Sequence, residues 1–331
     1  MSTPMPLEGV TVVSIAINLP GPAAAARLTA QGARVVTVIP PGGDPLQQFA
    51  REYFEELHDG RELRTLDLKT QEGRAELDAL LATADVFVTS SRPSALRRLD
   101  LNFASVHARH PQVCQIDIVG YPGERAEVPG HDLTYRASSG LLVTGSMPGT
   151  AMIDLSGAER AAAEASAALS ARARPGEGIR REVALSDLAH TLSGPLRAGL
   201  TGPGQLLGGG LPVYAIHDTA DGQIALAALE SHFTHNLLSL LGLSAQECTH
   251  ERLGAAFAER TAQEWAAVAD EHDIPIVVVD TPTAEASPAR GWPRSGSRGR
   301  REGRRADGAR GGLEQHLRAR GRVVAPGHVE R

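Results

Sequence analysis

Residues 10–39 read VTVVSIAINLPGPAAAARLTAQGARVVTVI. The β-branched run at 10–15 suits a pleated strand and crowds a helix. Asn18-Leu19-Pro20-Gly21-Pro22 breaks that run, and the Ala-rich stretch 23–31 that follows has high helix propensity. Gly32 closes the helix, and a second β-branched run occupies 35–39. Strand, helix and strand within thirty residues form a β-α-β unit.

The alternation continues outward. Residues 65–68 read as a short strand, 71–83 as a helix, 86–89 as a strand, 95–109 as helical and 113–119 as a strand. This order predicts an α/β fold with a Rossmann-like parallel sheet and helices on both faces. Dinucleotide binding does not follow, because the first turn lacks G-x-G-x-x-G and the second strand ends in Ile39-Pro40 with no acidic residue. A long Ala-rich helix is read at 156–174, stopped by Pro175-Gly176-Glu177-Gly178, then a strand at 181–185 and a helix at 186–200. Past the Gly-rich segment 202–210, runs at 213–217 and 223–228 flank Ala220-Asp221-Gly222, a hairpin signal. Helices at 231–240, 251–258 and 261–271 and a strand at 275–279 complete a smaller α+β unit. The expected division is a large α/β domain over 1–200, a Gly-rich linker over 201–211, a small α+β domain over 212–286, and an Arg/Gly-rich tail over 287–331 on which no structure is read.

Of 331 residues, 42% are hydrophobic and 22% charged, enough apolar material for a core and against wholesale disorder. The net charge of −6 is unevenly spread: residues 289–331 hold 12 Arg and four acidic residues, a net of +8, which leaves −14 on residues 1–288. Cys114 and Cys248 are too few for a disulfide framework and lack the spacing of a zinc site. No apolar run approaches the roughly 20 residues of a membrane span, and the N-terminus has neither a basic start nor an apolar core. A soluble cytoplasmic protein with no metal is the expectation, and nucleic-acid binding through the basic tail is disfavoured because only Trp292 interleaves with its arginines.

Four positions place an ionisable side chain at an element end beside small residues: Arg92 in SSRP, His131 with Asp132 in PGHDL, Asp154 in MIDLSG, and Glu230 in ALES. Each also has a plain structural reading. Asp154 would cap the helix after it, Glu230 would cap the helix from Ser231, and Arg92 would be a solvated charge. A His-Asp pair after Pro-Gly suits acid–base work better than a core.

Taken together, residues 6–45, 66–93, 129–142 (PGHDLTYRASSGLL) and 206–233 (LLGGGLPVYAIHDTADGQIALAALESHF) resemble the family III CoA transferases, and within them the α-methylacyl-CoA racemase branch. The resemblance runs from about residue 6 to about 286. It implies a CoA-binding large domain and an interlocked homodimer, with active sites where one subunit's large domain meets the other's small domain. It makes Asp154 the essential carboxylate, acylated in transferases and one of two bases in racemases. His131 becomes the opposite base, Glu230 its supporting carboxylate, and Arg92 a basic residue of the site. Asp132 and Gly157 take supporting places, and main-chain N–H groups near Gly157 are expected to receive the enolate charge, since helix N-termini stabilise developing negative charge. Arg61, Arg64 and Lys69, with Arg92, are expected to face CoA phosphates, and no cofactor beyond the CoA of the substrate is implied.

The implied activity is acyl-CoA epimerisation by 1,1-proton transfer. An α-proton beside a thioester has a pKa of around 20, so its removal needs a stabilised enolate, and inversion needs groups on opposite faces. The alternatives are CoA transfer through an aspartyl-CoA intermediate and a homologue that has lost catalysis. Departures from the family pattern motivate the last. Thr37 and Ile39 stand where a basic and an acidic residue are usual, Asp59 and Glu62 where basic residues are frequent, Gly157-Ala158 replaces Gly-Gly, and a Gly-x-Gly turn becomes Gly120-Tyr121-Pro122-Gly123.

Overall fold

The computed structural model describes residues 4–143, 146–172 and 176–280. The expected tail at 287–331 lies outside them. The chain opens with β1 (Thr11–Ser14), α1 (Pro20–Ala30) and β2 (Arg34–Ile39), and the helix starts three residues earlier than its Ala run because Pro20 occupies the first helical turn. Two short helices, α2 (Pro45–Phe49) and α3 (Arg51–His58), follow where none was expected. Their signal was present: Asp44 accepts from the N–H of Leu46 at 2.8 Å, with Pro45 first in the helix.

β3 is Glu62–Thr65, three residues before the expected strand, and α4 is Gln71–Leu81. The apolar Leu66 and Leu68 drew the sequence reading toward 65–68, but β3 is an edge strand, largely exposed, whose register (Val36 opposite Glu62, Ile39 opposite Thr65) is set by β2. β4 is Val86–Thr89. The single helix expected at 95–109 is two, α5 (Pro93–Arg98) and α6 (Phe103–Arg109), separated where Asp100 takes a left-handed φ of 54°. Then come β5 (Cys114–Val119), the unexpected α7 (Asp132–Ser138), α8 (Met152–Arg172), β6 (Arg180–Ala184), α9 (Leu185–Leu192) and α10 (Gly194–Arg197), the last two divided ahead of Pro195.

Six strands form one parallel sheet in the order β3-β2-β1-β4-β5-β6. The central strands β4 and β5 are buried along their whole length, as a sheet covered on both faces requires. One face packs under α1 and α8, and the other packs against Leu77 and Leu81 of α4, Leu96 of α5 and Val106 of α6. The α1–α8 contact is built from alanines: Ala23 to Ala26 on one helix, and Ala158, Ala161, Ala162, Ala165 and Ala168 on the other, at helical spacing. Arg27 and Glu159 close its rim at 2.6 Å.

The Gly-rich segment is not an extended linker. Leu206–Gly210 folds back on itself, with Gly204 N–H bonded to Gly208 O and Gly210 N–H to Gln205 O, and a Cβ on Gly208 would strike the Gly202 carbonyl. The smaller sheet is antiparallel, in the order β7 (Tyr214–Asp218), β8 (Gln223–Ala227) and β9 (Ile276–Val278). Strict alternation along β8 sends Ile224 and Leu226 into a core with Leu253, Phe257 and Trp265, supplied by α11 (Ser231–Leu241), α12 (His250–Phe257) and α13 (Ala262–Glu271). The opposite face leaves Ile216 and Val277 exposed.

Candidate active site

In an open parallel sheet, ligands sit beyond the strand C-termini where strand order reverses. Here the reversal falls between β1 and β4. The loops after those strands are tied together, with the Ile17 N–H donating to Ser90 Oγ at 3.0 Å. A cavity of about 220 Å³ opens between them, lined by Arg92, His131, Tyr135 and Asp154 together with Asn18, Ser91, Gly120 and apolar Ile118, Val119 and Leu185.

His131 and Asp132 are sequence neighbours with different tasks. His131 precedes α7, where its N–H donates to Thr134 Oγ1 at 3.0 Å and its carbonyl accepts from the same hydroxyl at 2.8 Å, so the backbone is pinned while the side chain faces the cavity. Asp132, 8% exposed, points the other way and accepts from the N–H groups of Ile153 and Asp154 at 2.6 and 3.2 Å. It caps α8 from another element, satisfying two N–H groups that a helix start leaves without partners. Arg136 adds a bond to Thr150 O at 2.9 Å. One dipeptide thus supplies the site and the clamp beneath it.

That clamp explains a correction. The helix expected from 156 begins at Met152, so Asp154 is not its N-cap but lies within the first turn. Burial, with the nearby charge of Asp132 second, pushes Asp154 up from the ordinary carboxylate range to about 6. The favourable field of the helix start is outweighed by loss of water. Gly157 consequently falls in the second turn, where a regular helix turns the N–H onto its own carbonyl four residues back. It cannot be the enolate donor expected of it. Its lack of a side chain serves packing instead, because a Cβ there would collide with Leu185, and Ala158 is core and not loop.

The remaining expected residues separate. Arg92 stands exposed at the start of α5 and lines the cavity. Glu230, exposed at the start of α11, does not line it. Arg64 is engaged by Glu62 at 2.6 Å, and Glu62 by Arg34 at 2.9 Å, so the acidic departure at 62 is neutralised within the chain. Arg61 lies against α1, donating to Pro22 O at 3.2 Å, with burial pulling its guanidinium down to about 10. Lys69 lines a second cavity of about 330 Å³ at the ends of β1 and β2, facing Arg98, Asp67, Ile39 and Pro40. Arg61 and Arg64 line neither cavity. Ile17 and Ser91 line both, so the two hollows adjoin along the sheet's reversal point.

A family model described as CoA-transferase family III matches residues 7–292. The chain belongs to that family. It is 29% identical over 306 residues to the alpha-methylacyl-CoA racemase of Homo sapiens, covering 84% of this chain and 78% of that one. It is 28% identical over 275 residues to the succinate–glutarate CoA-transferase of Agrobacterium fabrum, covering 72% and 67%. The solved structure of Rv3272 from Mycobacterium tuberculosis matches with a TM-score of 0.73 at 25% identity, covering 84% of this chain and 86% of that one. A CAIB/BAIF family protein from Brucella suis matches in fold with a TM-score of 0.71 at 24% identity, covering 84% and 85%.

Membership of CoA-transferase family III sets the class as chemistry on acyl-CoA thioesters, with racemases and transferases both among the relatives. Two members of this site escaped the sequence reading. Arg98 could have been found as the last residue of the short helix that follows Arg92, since both line cavities at the strand C-termini. Tyr135 carries a usable signal too, four residues after His131 and so on the same face of any helix beginning there. Among the described residues no cluster of His, Cys, Asp or Glu could hold a metal ion, and no helix is long and apolar enough to cross a membrane.

Proposed function

We propose that the protein inverts the α-carbon of a 2-methylacyl-CoA thioester by proton transfer between His131 and Asp154. The observation that carries this reading is their shared cavity, with Asp154 held at about 6. A carboxylate poised there is ionised at neutral pH yet close enough to it to be protonated as part of a cycle. One group removes the α-proton, and the pair from the C–H bond moves onto the thioester oxygen. The other group then returns a proton to the opposite face, and in the reverse direction the roles exchange. One proton leaves and one arrives, so the balance requires no redox group or cofactor beyond the CoA of the substrate.

The adjoining Lys69–Arg98 cavity suits the phosphate-bearing end of CoA, because its two cations outnumber its one carboxylate, Asp67, over an apolar floor at the strand C-termini. Arg92 stands beside the reacting end. We assign Glu230 to the His131 of a second copy in an interlocked homodimer, a placement supported by its exposure and by its absence from its own chain's cavity. Incubation with a 2-methylacyl-CoA in deuterated water is expected to place deuterium at the α-carbon. No exchange above that of a His131→Ala, Asp154→Asn double variant would refute the proposal.

A second reading, CoA transfer, is favoured by the same carboxylate, since Asp154 could attack the thioester carbonyl and expel CoA thiolate to give a mixed anhydride, whose Asp154 carbonyl the thiolate then attacks, breaking the anhydride C–O bond, releasing the acyl group as its free carboxylate and leaving an aspartyl thioester. Hydroxylamine would then modify Asp154 only when acyl-CoA is present.

A further inference from the structure

The loop between β1 and α1 is held from both sides. Ile17 gives its N–H to Ser90 Oγ at 3.0 Å and takes that hydroxyl on its carbonyl at 3.4 Å, while Asn18 gives its N–H to Asp44 Oδ1 at 3.1 Å. Asp44 is fully buried and is itself fixed as the N-cap of α2. Between these anchors Asn18 takes a left-handed φ of 66°, a conformation that residues with a Cβ seldom adopt. Asn tolerates it because its short side chain can bond locally. Here the side chain makes no such bond among the described residues, and Asn18 stands exposed on the cavity of His131 and Asp154. Asp100 and Asp273, which also have positive φ, line neither that cavity nor the Lys69–Arg98 one.

A neutral amide at this position has a chemical counterpart in the substrate. Ile17 and Ser91 line both cavities, so an arm joining a thioester in the first to phosphates in the second crosses the wall at Ile17, next to Asn18. In acyl-CoA that arm is pantetheine, which is uncharged and carries a secondary amide two methylene groups from the sulfur. A secondary amide offers one N–H and one C=O, and the Asn side chain offers the complementary C=O and NH2 in one planar group. Asn18 lines the first cavity and not the second, which selects the amide nearest the sulfur over the one nearer the phosphates.

We propose that Asn18 is a substrate-binding residue whose side-chain amide pairs with the pantetheine amide nearest the thioester sulfur and so sets how far the arm reaches toward His131 and Asp154. This rests on the acyl-CoA reading above. The backbone clamp from Ser90 and Asp44 is in place before substrate arrives, so no loop has to be ordered on binding. The pantetheine amide keeps its structure and charge throughout proton transfer. The pairing is therefore equally strong in the bound substrate and in the transition state, and it acts on KM and not on kcat.

The test is Asn18→Gly in the full chain, a substitution that keeps the left-handed backbone without strain and removes only the amide. Two truncated substrates are compared in α-deuterium exchange: the 2-methylacyl thioester of N-acetylcysteamine, which retains the amide nearest the sulfur, and the pentyl thioester, in which two methylene groups replace its CO–NH. Loss of the paired bonds is expected to lower kcat/KM for the N-acetylcysteamine ester about tenfold and for the pentyl ester less than about twofold. With the full acyl-CoA the loss should lie in KM, with kcat held within about twofold. An equal loss on both truncated esters overturns the proposal, because the residue would then serve the loop and not the amide, and so does no loss on either. Ser91→Ala is the rival variant: if it shows the amide-dependent loss and Asn18→Gly does not, the pairing belongs to Ser91 and the proposal falls. If the parent lacks exchange but traps hydroxylamine with acyl-CoA, the epimerase reading fails alone, and the same comparison is made on the trapping rate. A parent inert in both assays removes the acyl-CoA reading and this pairing together.

Discussion

Replacing Asp154 by Asn should make the protein more stable while abolishing its chemistry. The folded protein holds this carboxyl at about 6, against 3.8 for an unperturbed aspartate. Below pH 3.8 the group is protonated in both the folded and the unfolded chain, and its burial costs nothing in charge. As pH rises through the interval from 3.8 to about 6, the unfolded chain loses its proton first, so stability falls. Above about 6 the full penalty is present. Two pKa units correspond to about 3 kcal/mol, and partial exposure of the group to the cavity reduces this to about 1–3 kcal/mol. Asn keeps the shape and carries no charge. Urea unfolding of Asp154→Asn and the parent should therefore differ by about 1–3 kcal/mol at pH 7.5 in favour of the variant, by roughly half that at pH 5, and by nothing near pH 3.5 if both remain folded. A variant that is less stable than the parent at pH 7.5, or a difference independent of pH, would refute the claim that burial and Asp132 hold this carboxyl above its ordinary range.

Asp132→Ala strips the cap from α8 and leaves two N–H groups without their acceptor, so thermal unfolding should report a loss of about 2–4 kcal/mol. Asp132→Asn keeps an acceptor but removes the neighbouring charge, and the acid limb of the pH–rate profile should move to lower pH. Lys69→Ala combined with Arg98→Ala should raise KM for acyl-CoA at least about tenfold with little change in kcat, a pattern that steady-state kinetics separates from damage at the reacting end. Ala162→Leu places three extra carbons in the alanine-lined α1–α8 core and should cost about 1–3 kcal/mol in denaturant unfolding without altering the acid limb.

Where the chain's own local chemistry decides the outcome, the sequence was enough. The strands read at 10–15, 35–39, 86–89 and 113–119 became β1, β2, β4 and β5 within a residue or two, because strands buried on both faces draw mostly apolar, β-branched-rich segments. The Ala220-Asp221-Gly222 turn joins β7 to β8 as expected, since its Gly and Asp supply the turn directly. The concentration of ionisable residues at element ends was also legible, and it brought Arg92, His131 and Asp154 into one cavity.

What depended on distant partners was not legible. The edge strand β3 takes its register from β2, so its own apolar residues misled. The start of α8 is fixed by Asp132, which reaches Ile153 from 21 residues earlier in the chain, and with it the move of Gly157 from donor to packing residue. Arg64 is drawn to Glu62 and Glu76, whereas Arg98, unmarked in sequence, reaches the second cavity. Tyr135 is the clearest case. Its i+4 spacing from His131 could be read from the chain, but its place on the cavity and its slot between Gly120 and Gly130 exist only once β5, α7 and α8 are packed. Sequence determined which segments bury themselves and which residue types stand at their ends. Tertiary structure decided which of those ends meet, because hydrogen-bond satisfaction and loss of water are properties of the assembled neighbourhood and not of any segment alone.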